Sequence, residues 1–167
     1  MDIERFLQEQ GIPFQVCRHP AVFTVEEADR LVPELPGAGT KNLFLYDDRA
    51  GKHFLVVMPK DRSADLKALA PLLGMKKLSF GSPERLKRFL GIEPGAVSIL
   101  AVANDATREV QLVVDRTVWE SDALHCHPLV NTATLAVPLD GIRKFLEATG
   151  HKPLVIEVPR RPPAACT

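Results

Sequence analysis

Cysteine is scarce in this chain: three residues, Cys17, Cys126 and Cys166, are spread over 167 positions. An odd, widely spaced set excludes a disulfide framework and fits a reducing compartment. Net charge is also missing. Lysine plus arginine equals aspartate plus glutamate at 21 each, so no global field draws in nucleic acid. No apolar run approaches the roughly 20 residues of a membrane span. The opening MDIERFLQEQ is amphipathic and acidic, without the basic start and apolar stretch of a signal peptide. There is no internal repeat and no dinucleotide-binding glycine fingerprint. These absences lead to the expectation of a soluble, cytoplasmic protein with no membrane partner.

What is present is enough apolar material for a core. Hydrophobic residues make up 46%, and a domain of this length buries about two-thirds of its unfolded surface. A single domain is expected over 1–159, with a flexible proline-rich tail over 160–167. Ile3, Phe6 and Leu7 have helical spacing, and FQVC (14–17) alternates like a strand. Thr24 with Glu27 forms a capping box that predicts a helix start. KNLFLYD (41–47) and HFLVVM (53–58) read as a hairpin joined by DDRAG. Leu66, Leu69, Leu72 and Leu73 predict a helix closed by Gly74. Ser82, Pro83 and Glu84 open another, which Gly91 ends. SILAVAN (98–104) continues apolar. EVQLVVD (109–115), TATLAV (132–137) and PLVIEV (153–158) read as strands, with a helix capped by Asp140 between the last two. Strands and helices mix without regular βαβ alternation, so the fold class is α+β (irregular α/β), a mixed β-sheet surrounded by helices.

Charge is balanced overall but not locally. From Lys60 to Arg88 the segment carries a net +5, leaving −5 elsewhere. One reading is a set of solvated helix faces. The other is a phosphate-facing patch that includes Lys60, Arg62, Lys67, Lys76 and Lys77.

HCHPLVNTAT (125–134) concentrates polar chemistry. His125 and His127 on one strand face supply two metal ligands but no third at suitable spacing. Cys126 points the other way, which separates it from a histidine base. A structural role for His125 and Cys126 is the default, and no metal and no cofactor are expected. His127 before Pro128 is held extended, with Asn131 at the entry to the next strand. Upstream, Lys41 and Asn42 open an apolar strand after a glycine loop, where a cation beside an amide suits an anionic or carbonyl-bearing ligand. In GIEPGAV (91–97), glycines allow close backbone approach and N–H groups that can stabilise an oxyanion. No Ser–His–Asp constellation is visible.

In order, FQVCRHPAVFTVEEA, GTKNLFLYD, FLVVMPKD, LGIEPGAVSIL, VVD and HCHPLVNTATLAV resemble the YbaK-like family of aminoacyl-tRNA editing domains associated with prolyl-tRNA synthetase. The resemblance covers roughly Ile3 to Val158 and looks most like the freestanding PrdX-like (ProX) branch, which hydrolyses alanine mischarged onto proline tRNA. It implies the fold of that editing-domain type, and it implies site roles residue by residue. Lys41 matches the essential lysine that engages the terminal adenosine's backbone or the aminoacyl group, with Asn42 its polar neighbour. Gly91 to Pro94 matches the glycine-proline loop near the scissile ester, continued by Gly95, Ala96 and Val97. His127 and Asn131 match polar pocket positions, and Thr24 the part covering the aminoacyl moiety. Lys41 and the loop are expected to converge on a cavity sized for a methyl group. The substrate's terminal ribose hydroxyl would assist hydrolysis. The implied partners are the acceptor end of tRNA(Pro) and prolyl-tRNA synthetase. Two alternatives stay open: a deacylase for Cys- or Ser-tRNA, and a non-catalytic tRNA- or partner-binding module of the same fold.

Overall fold

The computed structural model describes residues 1–21, 30 and 35–162. Thr24 and its expected helix start lie outside the described residues, as does Cys166. The elements run α1 (Ile3–Glu9), β1 (Gln15–Arg18), β2 (Thr40–Asp47), β3 (Lys52–Pro59), α2 (Leu66–Leu72), β4 (Ser79–Phe80) and α3 (Pro83–Leu90). A 3-10 helix (Ile99–Asn104) follows, then β5 (Val110–Asp115), α4 (Arg116–Trp119), β6 (Ala123–Cys126), β7 (Ala133–Pro138), α5 (Leu139–Thr149) and β8 (Leu154–Ile156).

The strands form two sheets. The larger has order β4-β2-β3-β5-β8, and the smaller β1-β7-β6. The β2–β3 hairpin is antiparallel, with Lys41 opposite Met58 and Asn42 opposite Val57. β3, β5 and β8 are mutually parallel, so the larger sheet is mixed, as expected. The smaller sheet is wholly antiparallel. A seam joins the two. Ala38 donates its N–H to the Ala123 carbonyl at 2.8 Å and accepts from the His125 N–H at 2.9 Å, while Thr40 Oγ1 donates to the His125 carbonyl at 2.9 Å. Gly37 makes this approach possible. Its φ is +108°, and a Cβ there would stand 2.7 Å from the Ala123 carbonyl oxygen.

Strand alternation divides the core. Phe44, Leu55 and Val57 pack with α1, α3, the 3-10 helix, α5 and the smaller sheet. Leu45, Phe54, Val56 and Met58 pack on the opposite face with Ala64, Leu69 and Leu78. Asp47 closes the hairpin. Its carboxylate accepts from the backbone N–H groups of Arg49, Ala50 and Lys76 at 3.0–3.1 Å, which holds it below the usual carboxylate range.

Two expectations need correction, and one apolar run left without an element gains one. Asp140 does not cap α5. β7 runs straight into the helix, Pro138 occupies the cap position without a side-chain bond, and Asp140 sits in the first turn, where its charge meets the positive end of the helix. The apolar run 99–104 is a 3-10 helix capped by Ser98, whose Oγ accepts from the Leu100 N–H at 3.1 Å. Residues 160 and 161 are not loose tail. Arg160 bridges Ala64, and the Arg161 N–H donates to the Ser63 carbonyl at 2.8 Å.

Candidate active site

Because β2 runs against β3, and β3, β5 and β8 run together, the start of β2 lies at the edge where the three parallel strands end. That carboxyl edge is where open α/β sheets receive ligands. Lys41 stands there, half-buried, and its Nζ donates to the Arg62 carbonyl at 2.6 Å. Among the described residues no carboxylate pairs with it, so the ammonium is positioned but not neutralised.

Arg62 is itself anchored. Its guanidinium lies 3.3 Å from Thr117 Oγ1 and 3.8 Å from Asp115 Oδ1. Asp115, 2% exposed, accepts from the Thr117 N–H and the Val158 N–H, each at 2.9 Å. One buried carboxylate thus ties the ends of β5 and β8 to the loop that holds Lys41. A cavity of about 510 Å³ opens beside it, lined by Arg62, Thr117, Glu157 and Arg160 among others. A cavity of about 690 Å³, lined by Lys52, His53, Gly150 and His151 among others, lies at the opposite edge, roughly 20 Å along the strands from Lys41.

Asn42 is on the other face of β2 from Lys41. It shares that face with Phe44, and the 91–99 stretch packs there through Ile92, Val97 and Ile99. The expected convergence of Lys41 and the loop on one face is therefore not what the strand provides, because adjacent residues in a strand point apart. Asn42 is on the side of β2 that faces the core to which Ile92, Val97 and Ile99 belong. Its Oδ1 is buried without a hydrogen-bond partner.

The loop has a structural reason for its glycines. Gly91 is the left-handed C-cap of α3 at φ +65°, its N–H donating to the Lys87 carbonyl. Gly95, at φ +90°, follows Pro94 in a turn closed by the Ala96 N–H on the Glu93 carbonyl at 3.1 Å. The Ala96 N–H is thereby committed and is not a free oxyanion donor. Pro94 is exposed, Ala96 buried and Val97 half-buried.

His127 follows β6. Its Nδ1–H donates to the Ala133 carbonyl at 3.2 Å, which leaves Nε2 as the acceptor of a neutral ring. Burial, with a smaller push from nearby His19, lowers its pKa. His19 extends the smaller sheet, its N–H donating to the Thr132 carbonyl at 3.0 Å and its Nε2 accepting from Thr134 Oγ1 at 2.9 Å. Sequence reasoning gave His19 no role, although His19-Pro20 and His127-Pro128 are matching dipeptides that follow the two strands flanking β7. Leu129 completes the loop in a left-handed conformation, φ +66°, which costs a non-glycine residue. Asn131 is half-buried in the same loop.

The flanking residues are structural. His125 Nε2 faces the Leu35 and Pro36 carbonyls at 3.1 and 3.2 Å and pins the segment before the seam. Burial pushes the Cys126 thiol up to about 12, so no thiolate is available as a nucleophile. Among the described residues no three His, Cys, Asp or Glu side chains gather closely enough to hold a metal ion.

The basic segment is divided. Lys60 and Arg62 are at Lys41's edge, Lys60 laying its stem over Gly39. Lys67 is exposed on α2, while Lys76 and Lys77 sit by Asp47 at the far end of β2. The five do not form one patch.

A family model described as the aminoacyl-tRNA editing domain matches residues 19–145, a span that holds His19, Lys41, the 91–97 loop, His127 and Asn131. This chain belongs to that family. The editing domain is 37% identical over 152 residues to the prolyl-tRNA editing protein ProX of Acetoanaerobium sticklandii, covering 91% of this chain and 93% of that one. It is 36% identical over 157 residues to the prolyl-tRNA synthetase associated domain-containing protein 1 of Danio rerio, covering 93% and 85%. A solved structure, described as a candidate trans-editing enzyme for prolyl tRNA synthetase, superposes with TM-score 0.70 at 18% identity over 95% of this chain and 96% of that one. The resemblance drawn from the ordered motifs and the α+β fold class both agree with these findings. No helix among the described residues is long and apolar enough to cross a membrane.

Proposed function

We propose that this editing domain is a trans-acting aminoacyl-tRNA deacylase that removes alanine from mischarged tRNA(Pro), in the cytoplasm with prolyl-tRNA synthetase as its upstream partner. The observation that carries the reading is Lys41: a lysine anchored on a peptide carbonyl, uncompensated by any described carboxylate, at the ligand-binding edge of the sheet. Its remaining donors suit the phosphate and ribose of a terminal adenosine. Lys60 and Arg62 lie beside it to take further backbone charge. Lys76 and Lys77, about 20 Å away, would meet the tRNA beyond its single-stranded end.

An aminoacyl ester is already activated, so positioning supplies much of the acceleration. Water adds to the ester carbonyl, and the bond to the ribose oxygen breaks. That oxygen takes a proton, relayed by the neighbouring ribose hydroxyl, and alanine and free tRNA leave. Lys41 holds the nucleotide from one face of β2. Asn42, the 91–97 loop and neutral His127 surround the acyl end from the other. The roles of Gly91, Pro94, Gly95, Ala96 and Val97 are those of a wall, with Asn131 contributing to its closure.

Discrimination follows from size. A synthetase pocket built for proline rejects the smaller alanine by only about 1–3 kcal/mol per missing methylene, and a second pocket too small for proline completes the sieve. The test is deacylation of Ala-, Cys-, Ser- and Pro-tRNA(Pro) side by side, with wild type and Lys41→Ala. Ala-tRNA(Pro) should be hydrolysed and Pro-tRNA(Pro) spared. Loss of one charged contact should lower kcat/KM of the variant roughly 10- to 100-fold. Wild-type turnover by Lys41→Ala, or equal hydrolysis of the prolyl ester, refutes the reading.

A further inference from the structure

Asn42 carries more than a place beside Lys41. Among the described residues its Oδ1 is the one buried side-chain oxygen or nitrogen without a hydrogen-bond partner. Folded proteins rarely leave such a group unpaired, and where they do a missing partner is the first explanation to test. We propose that Asn42 Oδ1 receives the α-ammonium of the aminoacyl ester, making Asn42 the residue that separates aminoacyl esters from other acyl esters. The proposal rests on the deacylase reading above and adds the identity of the group recognised.

An amide oxygen only accepts, so the partner must donate. Phosphate and ester oxygens are acceptors and are excluded. The α-ammonium is the charged donor at the acyl end, and a desolvated acceptor favours a charged donor over a neutral one. Placement agrees. Asn42 shares its face of β2 with Phe44, on the side of the sheet whose core takes in Ile92 and Ile99 with Val97 packed against it. The Lys41 ammonium lies on the opposite face, bound to the Arg62 carbonyl, so the strand keeps the two cations apart. An amide also suits this buried position better than a carboxylate would, because a buried unpaired charge costs far more than a buried unpaired carbonyl.

The test compares alanyl-tRNA(Pro) with propionyl-tRNA(Pro), the same acyl group without the α-nitrogen, using wild type, Asn42→Ala and Asn42→Asp. Rates are corrected for uncatalysed hydrolysis of each ester. Wild type should prefer the alanyl ester. In Asn42→Ala that preference should shrink roughly 10- to 100-fold, mostly through the alanyl rate, while the melting temperature holds or rises because an unpaired buried acceptor is gone. Asn42→Asp should recover the preference. Equal losses on both esters in Asn42→Ala, or no wild-type preference, overturn this inference and leave the deacylase reading standing. Failure of wild type to hydrolyse any alanyl ester overturns both.

Discussion

Replacing Asp115 with asparagine separates the frame from the chemistry. The side chain is 2% exposed and accepts from the Thr117 and Val158 N–H groups, each at 2.9 Å. Asparagine keeps the shape but has one acceptor oxygen, so one of those N–H groups must face an NH₂. Leaving it unpaired costs about 1–3 kcal/mol, and the surviving bond, reduced from a charged to a neutral acceptor, about 1 more. The Arg62 contact at 3.8 Å adds little, since Arg62 is partly exposed. The sum is about 2–4 kcal/mol. At about 2–4 °C per kcal/mol for a chain of this size, Tm should fall by roughly 4–16 °C, read by circular dichroism on heating. Activity should follow for a different reason. Arg62 loses part of its anchor, its carbonyl no longer holds Lys41 as firmly, and kcat/KM on alanyl-tRNA(Pro) should drop several-fold well below Tm. A melting temperature within about 2 °C of wild type would refute the assignment of Asp115 as the tie between these strand ends.

Two further perturbations test other parts of the site. His127 is held neutral by burial, so the unfolded chain binds its proton more readily, and the stability it contributes is full above about pH 6.5 and lost as pH falls toward the lower folded value; kcat/KM should show an acid limb below that point, and an unchanged limb in His127→Gln would remove the histidine from the site. Gly37→Ala puts a Cβ 2.7 Å from the Ala123 carbonyl oxygen at φ +108°, so the seam between the sheets should open and Tm fall clearly, whereas Gly51→Ala, at φ +64° with open space around it, should cost about 1 kcal/mol; equal melts for the two would refute the seam.

What could be read in the sequence was whatever local chemistry decides. α3 was legible at both ends. Ser82 Oγ accepts from the Arg85 N–H at 3.2 Å, Pro83 opens the helix and Gly91 closes it at φ +65°. The β2–β3 hairpin was equally plain. What was not legible depends on distant partners. β1 pairs with β7 across more than a hundred residues, and nothing in QVCR announces that it leaves the main sheet for a second one. Ile99 to Val102 are buried all round, so no period distinguishes strand from helix there. In the site, the sequence shows Lys41 and Asn42 as neighbours but not that they stand on opposite faces of one strand. The third anchor, the Arg62 carbonyl, is a backbone atom to which no side-chain motif points.

The pairing of Lys41 with Asn42 argues for a strand as a divider. In a helix, consecutive residues lie about 100° apart and share a flank; in a strand they face opposite ways. A ligand wrapped around the start of β2 would present its nucleotide to one face and its acyl group to the other, with the ester near the strand's own edge. That arrangement lets one anionic and one cationic end of the same substrate meet partners of the right kind without those partners meeting each other. It also explains the imbalance between them. Lys41 is paired with the Arg62 carbonyl, because a half-buried ammonium left without a hydrogen-bond partner is costly. Asn42, neutral, can tolerate waiting, and its unpaired oxygen is the strain that a folded chain accepts at a site rather than in a core.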